Sequence, residues 1–135
     1  MPIVIDASVA MAWCIEDAAA PLAEAALDQL ANDEAIVPVL WQLEVANVLL
    51  AAERRGRLTE AQATRFVDLL GQLPIHVDPG RTDIGSVTAA GRLHGLTAYD
   101  TAYLLLAQRT GFAIATLDGD LATAARAAGV AVFGT

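Results

Sequence analysis

The chain contains no lysine: all eight of its basic residues are arginines. That absence excludes Schiff-base chemistry, a phosphate-binding-loop lysine, and any mechanism that sets a lysine beside an aspartate. Positive charge is scarce altogether. Sixteen acids outweigh the arginines and leave a net charge of −8, which argues against a broad basic face clamping long nucleic acid. It leaves room for nucleic acid held through a metal ion and a few arginines. There is one cysteine, Cys14, so an internal disulfide framework is excluded and a reducing compartment fits; a small core residue is the reading for Cys14. The two histidines, His76 and His94, stand apart from each other and from Cys14, which gives no zinc spacing. No apolar run reaches the length of a membrane span. Met1-Pro2-Ile3-Val4-Ile5-Asp6 lacks the basic start and cleavage site of a signal peptide. The expectation is a cytoplasmic protein with no membrane association.

What the chain has is apolar surface: 56% of its 135 residues are hydrophobic, enough for one domain, residues 1–135, around one core. Ile3-Val4-Ile5 reads as a buried strand of a parallel sheet. Val9 to Ile15 looks helical, and Pro21 to Ala31 forms a helix with Leu22, Ala26, Leu27 and Leu30 on one face. Ala35 to Pro38 is a second strand. Leu40 to Arg54 is a long helix with Val45, Val48, Leu49 and Ala52 on its apolar face. Thr59 and Gln62 have capping-box spacing and open a helix to Leu73. These two helices form a hairpin inserted between strands. Pro74 to Val77 is a third strand, Thr82 to His94 a helix, Phe112 to Ala115 a fourth strand, Leu121 to Ala128 a helix and Val130 to Phe133 a fifth strand. Alternating strands and helices give an α/β fold with a short, mostly parallel sheet flanked by helices.

One stretch, Thr97 to Ala107, reads as a core helix with a carboxylate, Asp100, at its start. Thr97 and Asp100 have helix-cap spacing, so an acid there can serve the helix end alone. Three more acids stand in similar settings. Asp6 directly follows the first strand, and Asp118 follows the fourth by two residues. Glu44 lies one helical turn beyond the second strand. Ligands of open α/β sheets bind beyond the carboxyl ends of the strands, so the four can converge there. Asp6 and Asp118 can equally be helix N-caps, and Glu44 can lie on a solvated face. Convergent carboxylates in apolar surroundings call for a cation. An all-oxygen ligand set points to Mg²⁺ or Mn²⁺ rather than zinc. Ser8 and Thr116 stand two residues from Asp6 and Asp118, where their hydroxyls can orient the carboxylates or bind phosphate; Asn47 can do the same for Glu44. Arg54, Arg55 and Arg57 form the densest basic cluster, suited either to RNA phosphates or to a helix C-terminus.

The pieces Val4-Ile5-Asp6-Ala7-Ser8, Glu44 to Leu49, Tyr99 to Leu104 and Thr116-Leu117-Asp118 occur in an order that spans nearly the whole chain. In this the sequence resembles the PIN-domain ribonucleases, most closely the VapC toxins of prokaryotic toxin–antitoxin pairs. The resemblance implies a metal-dependent endoribonuclease of a type II toxin–antitoxin system, with Asp6, Glu44, Asp100 and Asp118 as the acidic quartet. It also implies a homodimer and a cognate antitoxin. Asp120 stands close enough to Asp118 that either can fill the fourth position.

Two other readings compete. Aspartate-nucleophile phosphatases also place an Asp after the first strand, but they want a second acid where this chain has Ser8, and a lysine. A non-catalytic PIN-like interaction module has no need of four mutually repelling acids.

Overall fold

The computed structural model describes residues 1–15, 20–80 and 82–134. The first half runs β1 (Ile3–Ile5), α1 (Ala7–Cys14), α2 (Pro21–Gln29), β2 (Ala35–Pro38), α3 (Val39–Arg54) and α4 (Glu60–Gly71). The second half runs β3 (Ile75–Asp78), α5 (Ile84–His94), α6 (Ala98–Thr110), β4 (Ala113–Ala115) and α7 (Gly119–Ala127). The strands form one sheet in the order β3-β2-β1-β4, and every pair is parallel. This is the expected α/β architecture.

Position in the sheet explains the character of each strand. β1 lies between two neighbours, and all three of its residues are buried, which is why it reads as an unbroken apolar run. β3 is an edge strand with His76 and Val77 exposed, which is why its apolar signal is weak. α6 packs on β1, β2 and β4 and buries Thr101, Tyr103, Leu104, Leu106 and Ala107. α3 and α4 form the expected hairpin between β2 and β3. The start of α4 is fixed reciprocally: the Gln62 N–H donates to Thr59 Oγ1 at 3.1 Å, and the Thr59 N–H donates to Gln62 Oε1 at 2.9 Å.

Three expectations differ in detail. The fifth strand reduces to one bridge, Ile114 to Val132, flanked by hydrogen bonds from the Ile114 N–H to Ala131 O and from the Phe133 N–H to Ile114 O. Gly129 and Gly134, both at positive φ, turn the backbone on either side and leave no length for a ladder. In α2 the buried residues are Ala26, as expected, and Ala23, whereas Leu27 is exposed. The helix packs on α1, and the Trp13 indole N–H reaches Ala23 O at 2.7 Å. In α3, Trp41 joins Val45, Leu49 and Ala52 in the core, while Val48 is only half-buried. Cys14 is half-buried against the same core, and burial raises its thiol pKa. Among the described residues no helix is long and apolar enough to cross a membrane.

Leu104 has no exposed surface and sits on the helix that touches three strands. Leu104→Ala is expected to lower the unfolding free energy by about 2–5 kcal/mol. Urea denaturation checks this; a loss well under 1 kcal/mol would mean that α6 is not the central packing element.

Candidate active site

β1 and β4 are neighbours with Ile5 opposite Ala115, and the Asp6 N–H donates to Ala115 O at 3.3 Å. The chain therefore leaves the sheet twice at adjacent points of its carboxyl edge. Asp6 is the first residue beyond β1 and Thr116 the first beyond β4.

Asp6 is buried, only 4% exposed, and its carboxylate is held from three directions. The Ser8 hydroxyl donates to Oδ1 at 2.6 Å, and the Val9 N–H donates to the same oxygen at 3.3 Å. The Thr116 hydroxyl donates to Oδ2. Both hydroxyls also accept: Ser8 Oγ from the Leu117 N–H and Thr116 Oγ1 from the Asp118 N–H, each at 3.0 Å. Asp118 caps α7, its Oδ1 accepting from the Asp120 N–H at 2.9 Å and the Leu121 N–H at 3.2 Å. Ser8 thus orients Asp6 as its spacing suggested, whereas the Thr116 hydroxyl donates to Asp6 rather than to the Asp118 carboxylate two residues beyond it.

Asp100 stands in the first turn of α6, its N–H donating to the Thr97 side chain at 3.2 Å. Glu44 is half-buried on α3. Its hydrogen-bond partner is Tyr103, whose hydroxyl donates to Oε1 at 2.5 Å, whereas Asn47 is exposed one turn further on. Nothing in the sequence singled out Tyr103 beyond its place three residues after Asp100, which sets both on one face of α6. Arg54, Arg55 and Arg57 are exposed at the C-terminal end of α3. Arg54 lies ten residues beyond Glu44, about 15 Å along the helix axis.

The charges reveal the grouping. Burial raises the Asp100 pKa, and so do the negative charges of Asp118, Asp6 and Glu44, in that order. Burial likewise raises Asp6, against the lowering effect of Ser8, Thr116 and the Val9 N–H, and Asp118 adds to the rise. Asp118, not Asp120, is the acid that acts on both, and Asp120 is exposed. The four acids therefore share one electrostatic neighbourhood. Among the described residues, no three of Asp, Glu, His and Cys stand close enough to grasp a single ion as they are, so the carboxylates ring a region rather than meet at a point. In kind the donors fit a hard divalent cation: all are oxygens, and their mutual repulsion is what such an ion relieves.

Residues 3–127 match the PIN domain family. The chain belongs to that family. Ribonuclease VapC3 of Pyrobaculum aerophilum is 33% identical to it over 124 residues, covering 90% of this chain and 93% of that protein, which puts this PIN domain in the VapC group. Two solved structures share the fold. PAE2754 from Pyrobaculum aerophilum has a TM-score of 0.70 at 22% identity, over 92% of this chain and 87% of that one. A toxin–antitoxin complex from Klebsiella pneumoniae has a TM-score of 0.61 at 16% identity, over 89% of this chain and 90% of that one.

The raised acids make stability depend on pH in a stated direction. Where Asp6 and Asp100 are raised, the native PIN domain binds more protons than the unfolded chain. In chelator, the unfolding free energy should therefore rise as pH falls from neutrality through their folded pKa values, and be complete below the ordinary Asp value of 3.8. Asp33, Asp78 and Asp83 are shifted the other way, by the N-terminal amine, by Arg109 against a desolvation cost, and by the Ser86 N–H respectively; their contribution is lost only below that value. Asp100→Asn should flatten the slope above it. Equal slopes for wild type and variant in urea titrations between neutrality and mild acid would contradict the grouping.

Proposed function

We propose that this PIN domain is a metal-dependent endoribonuclease, the toxin of a type II toxin–antitoxin pair, with Asp6, Glu44, Asp100 and Asp118 holding Mg²⁺ or Mn²⁺ against the scissile phosphodiester. The observation that carries the reading is that Asp100 feels the charges of Asp118, Asp6 and Glu44 together. Its class of activity is supported by the identity to Ribonuclease VapC3. When bound, the ion supplies charge stabilisation at the phosphate and eases deprotonation of the attacking water. The chain's own residues prepare for this. Ser8, Thr116 and the Val9 N–H fix the Asp6 carboxylate in one orientation. The α7 N-terminus fixes Asp118 through Oδ1. With their pKa values raised, Asp6 and Asp100 hold protons more readily than an ordinary aspartate does.

The test is cleavage of RNA by the purified protein with Mg²⁺ or Mn²⁺, and with chelator. Asp100→Asn should reduce the rate on the order of a hundredfold or more, the scale seen when an electrostatic group aimed at developing charge is removed, while circular dichroism stays native. A folded variant with wild-type activity would remove Asp100 from the site. Activity undiminished by chelator would remove the cation.

A cognate antitoxin and a second copy of the chain are the partners this function calls for. The toxin–antitoxin complex that shares the fold supports the first. Support for the second comes from apolar surface: Val39 and Leu43 of α3 and Tyr99 of α6 are exposed around a cavity of about 410 Å³, more than a lone chain keeps wet without reason. Leu43, 71% exposed, should then lie between protomers. Light scattering should show a dimer for wild type and a monomer for Leu43→Glu; a wild-type monomer at high micromolar concentration would count against the dimer.

A further inference from the structure

Tyr103 is 1% exposed, and its ring is part of the core beneath the site. Packing alone asks only for the ring, since a phenylalanine would fill that space without burying a hydroxyl that needs partners. The hydroxyl has one hydrogen bond of this kind. It donates to Glu44 Oε1 at 2.5 Å, within the range of a charge-assisted hydrogen bond to a carboxylate. The backbone N–H of Ala7 approaches the same oxygen. Ala7 follows Asp6 and opens α1. One oxygen atom, carried by the helix that also carries Asp100, therefore binds the Glu44 side chain of α3 and lies near the first residue after Asp6.

We infer that Tyr103 is a positioning residue for the cation site: its hydroxyl holds Glu44 by Oε1, sets the spacing of Glu44 from Asp6 and Asp100, and leaves Oε2 for ligation. This rests on the four-acid reading above and deepens it. Burial, and after it the Glu44 carboxylate, push the hydroxyl pKa above the ordinary tyrosine value, so the group is a donor at neutral pH. Without that donor Glu44 is one long side chain, half-exposed, repelled by the charge of Asp100. It would turn toward water, and the site would lose a ligand with no change in the fold.

Mn²⁺ binding, followed by the paramagnetic resonance of the free ion, tests this on wild type, Tyr103→Phe, Glu44→Gln and the double variant. Tyr103→Phe should bind Mn²⁺ about tenfold more weakly or worse, the scale for losing a partner that orients a ligand. Its cleavage activity should need correspondingly more Mg²⁺ while recovering at saturation. In the Glu44→Gln background the same change should cause little further loss, because the two residues act as one unit. A folded Tyr103→Phe that binds Mn²⁺ like wild type, while Glu44→Gln binds it weakly, overturns the positioning role and leaves the cation site standing. A wild type that fails to bind millimolar Mn²⁺ overturns the cation site and this inference with it. Should Tyr103→Phe not fold, wild type carries the test. The chain has two tyrosines, and Tyr99 is 65% exposed, so a slowly exchanging tyrosine hydroxyl proton in the nuclear magnetic resonance spectrum belongs to Tyr103. Mg²⁺ should shift it by drawing on the Glu44 carboxylate; a resonance unmoved by saturating Mg²⁺ overturns the inference.

Discussion

A carboxylate taken out of water at the end of a central strand has to find donors, and the three that Asp6 finds tie the sheet edge together. Val9 belongs to the helix that Asp6 caps, so that bond is local. Ser8 and Thr116 are different because each hydroxyl passes the constraint on. Ser8 receives the N–H of Leu117, and Thr116 receives the N–H of Asp118. The junction after β1 and the junction after β4 are far apart in the chain and are locked to one carboxylate. Asp118 is thereby held by its own backbone relative to Asp6, and its charge contributes to the raised pKa of Asp6. The adjacency of β1 and β4 supplies the backbone registry for this; the two hydroxyls convert the registry into a fixed pair of acids.

Around that pair the remaining acids are delivered by helices. α6 brings Asp100 over the edge, and α3 brings Glu44 from the side of β2. The neighbours that set the shifts of Asp6 and Asp100 are carboxylates, hydroxyls and one backbone N–H; no guanidinium is among them. Elsewhere this chain does pair its acids with arginine, as at Arg109 and Asp78, 2.5 Å apart. Arg54 stands in the last turn of α3, at the far end of that helix from Glu44, where a positive charge complements the helix dipole. A folded protein with this distribution carries its repulsion in one place and can relieve it there by taking up positive charge.

Much of this was legible in the sequence for specific reasons. A strand of three β-branched residues ending in Asp, and another ending in Thr-Leu-Asp, say that two acids leave a sheet; an α/β alternation says that they leave by the same edge. Thr97 and Asp100 announce a helix start. What could not be read depended on side-chain reach. Tyr103 sits in a run of leucines and alanines, and neither its neighbours nor its spacing tells whether the hydroxyl finds a carboxylate on a helix 59 residues earlier. Asn47 had the better spacing to serve Glu44 and stays exposed, because the polar partner came from across the core. The exposure of Leu27 was hidden for a related reason: Ala23 and Ala26 are the buried residues of α2, and a periodicity that ranks residues by hydrophobicity favours leucine over the smaller residue that fits. Val130 to Phe133 had strand composition, but its length was set by the two turning glycines.

The helix-cap and ligand readings of these acids can be separated by comparing two caps in the same molecule. Asp83 caps α5 with its Oδ1 at 2.7 Å from the Ser86 N–H, and its pKa is lowered, chiefly by that bond. This is what capping does to an acid whose only task is to satisfy a helix end. Asp6 caps α1 in the same way and collects two hydroxyl donors besides, yet its pKa is raised. Burial is the larger cause and the charge of Asp118 an added one, so the difference lies in where the cap has been put. Asp118 caps α7 and Asp100 stands in the first turn of α6, so three helix N-termini border the same region. Their dipoles oppose part of the repulsion, which is how four acids can be kept near one another before any cation arrives. Capping is then not the alternative to the site. For Asp6 and Asp118 it is the means by which the fold holds the carboxylate in place while leaving its negative charge uncancelled.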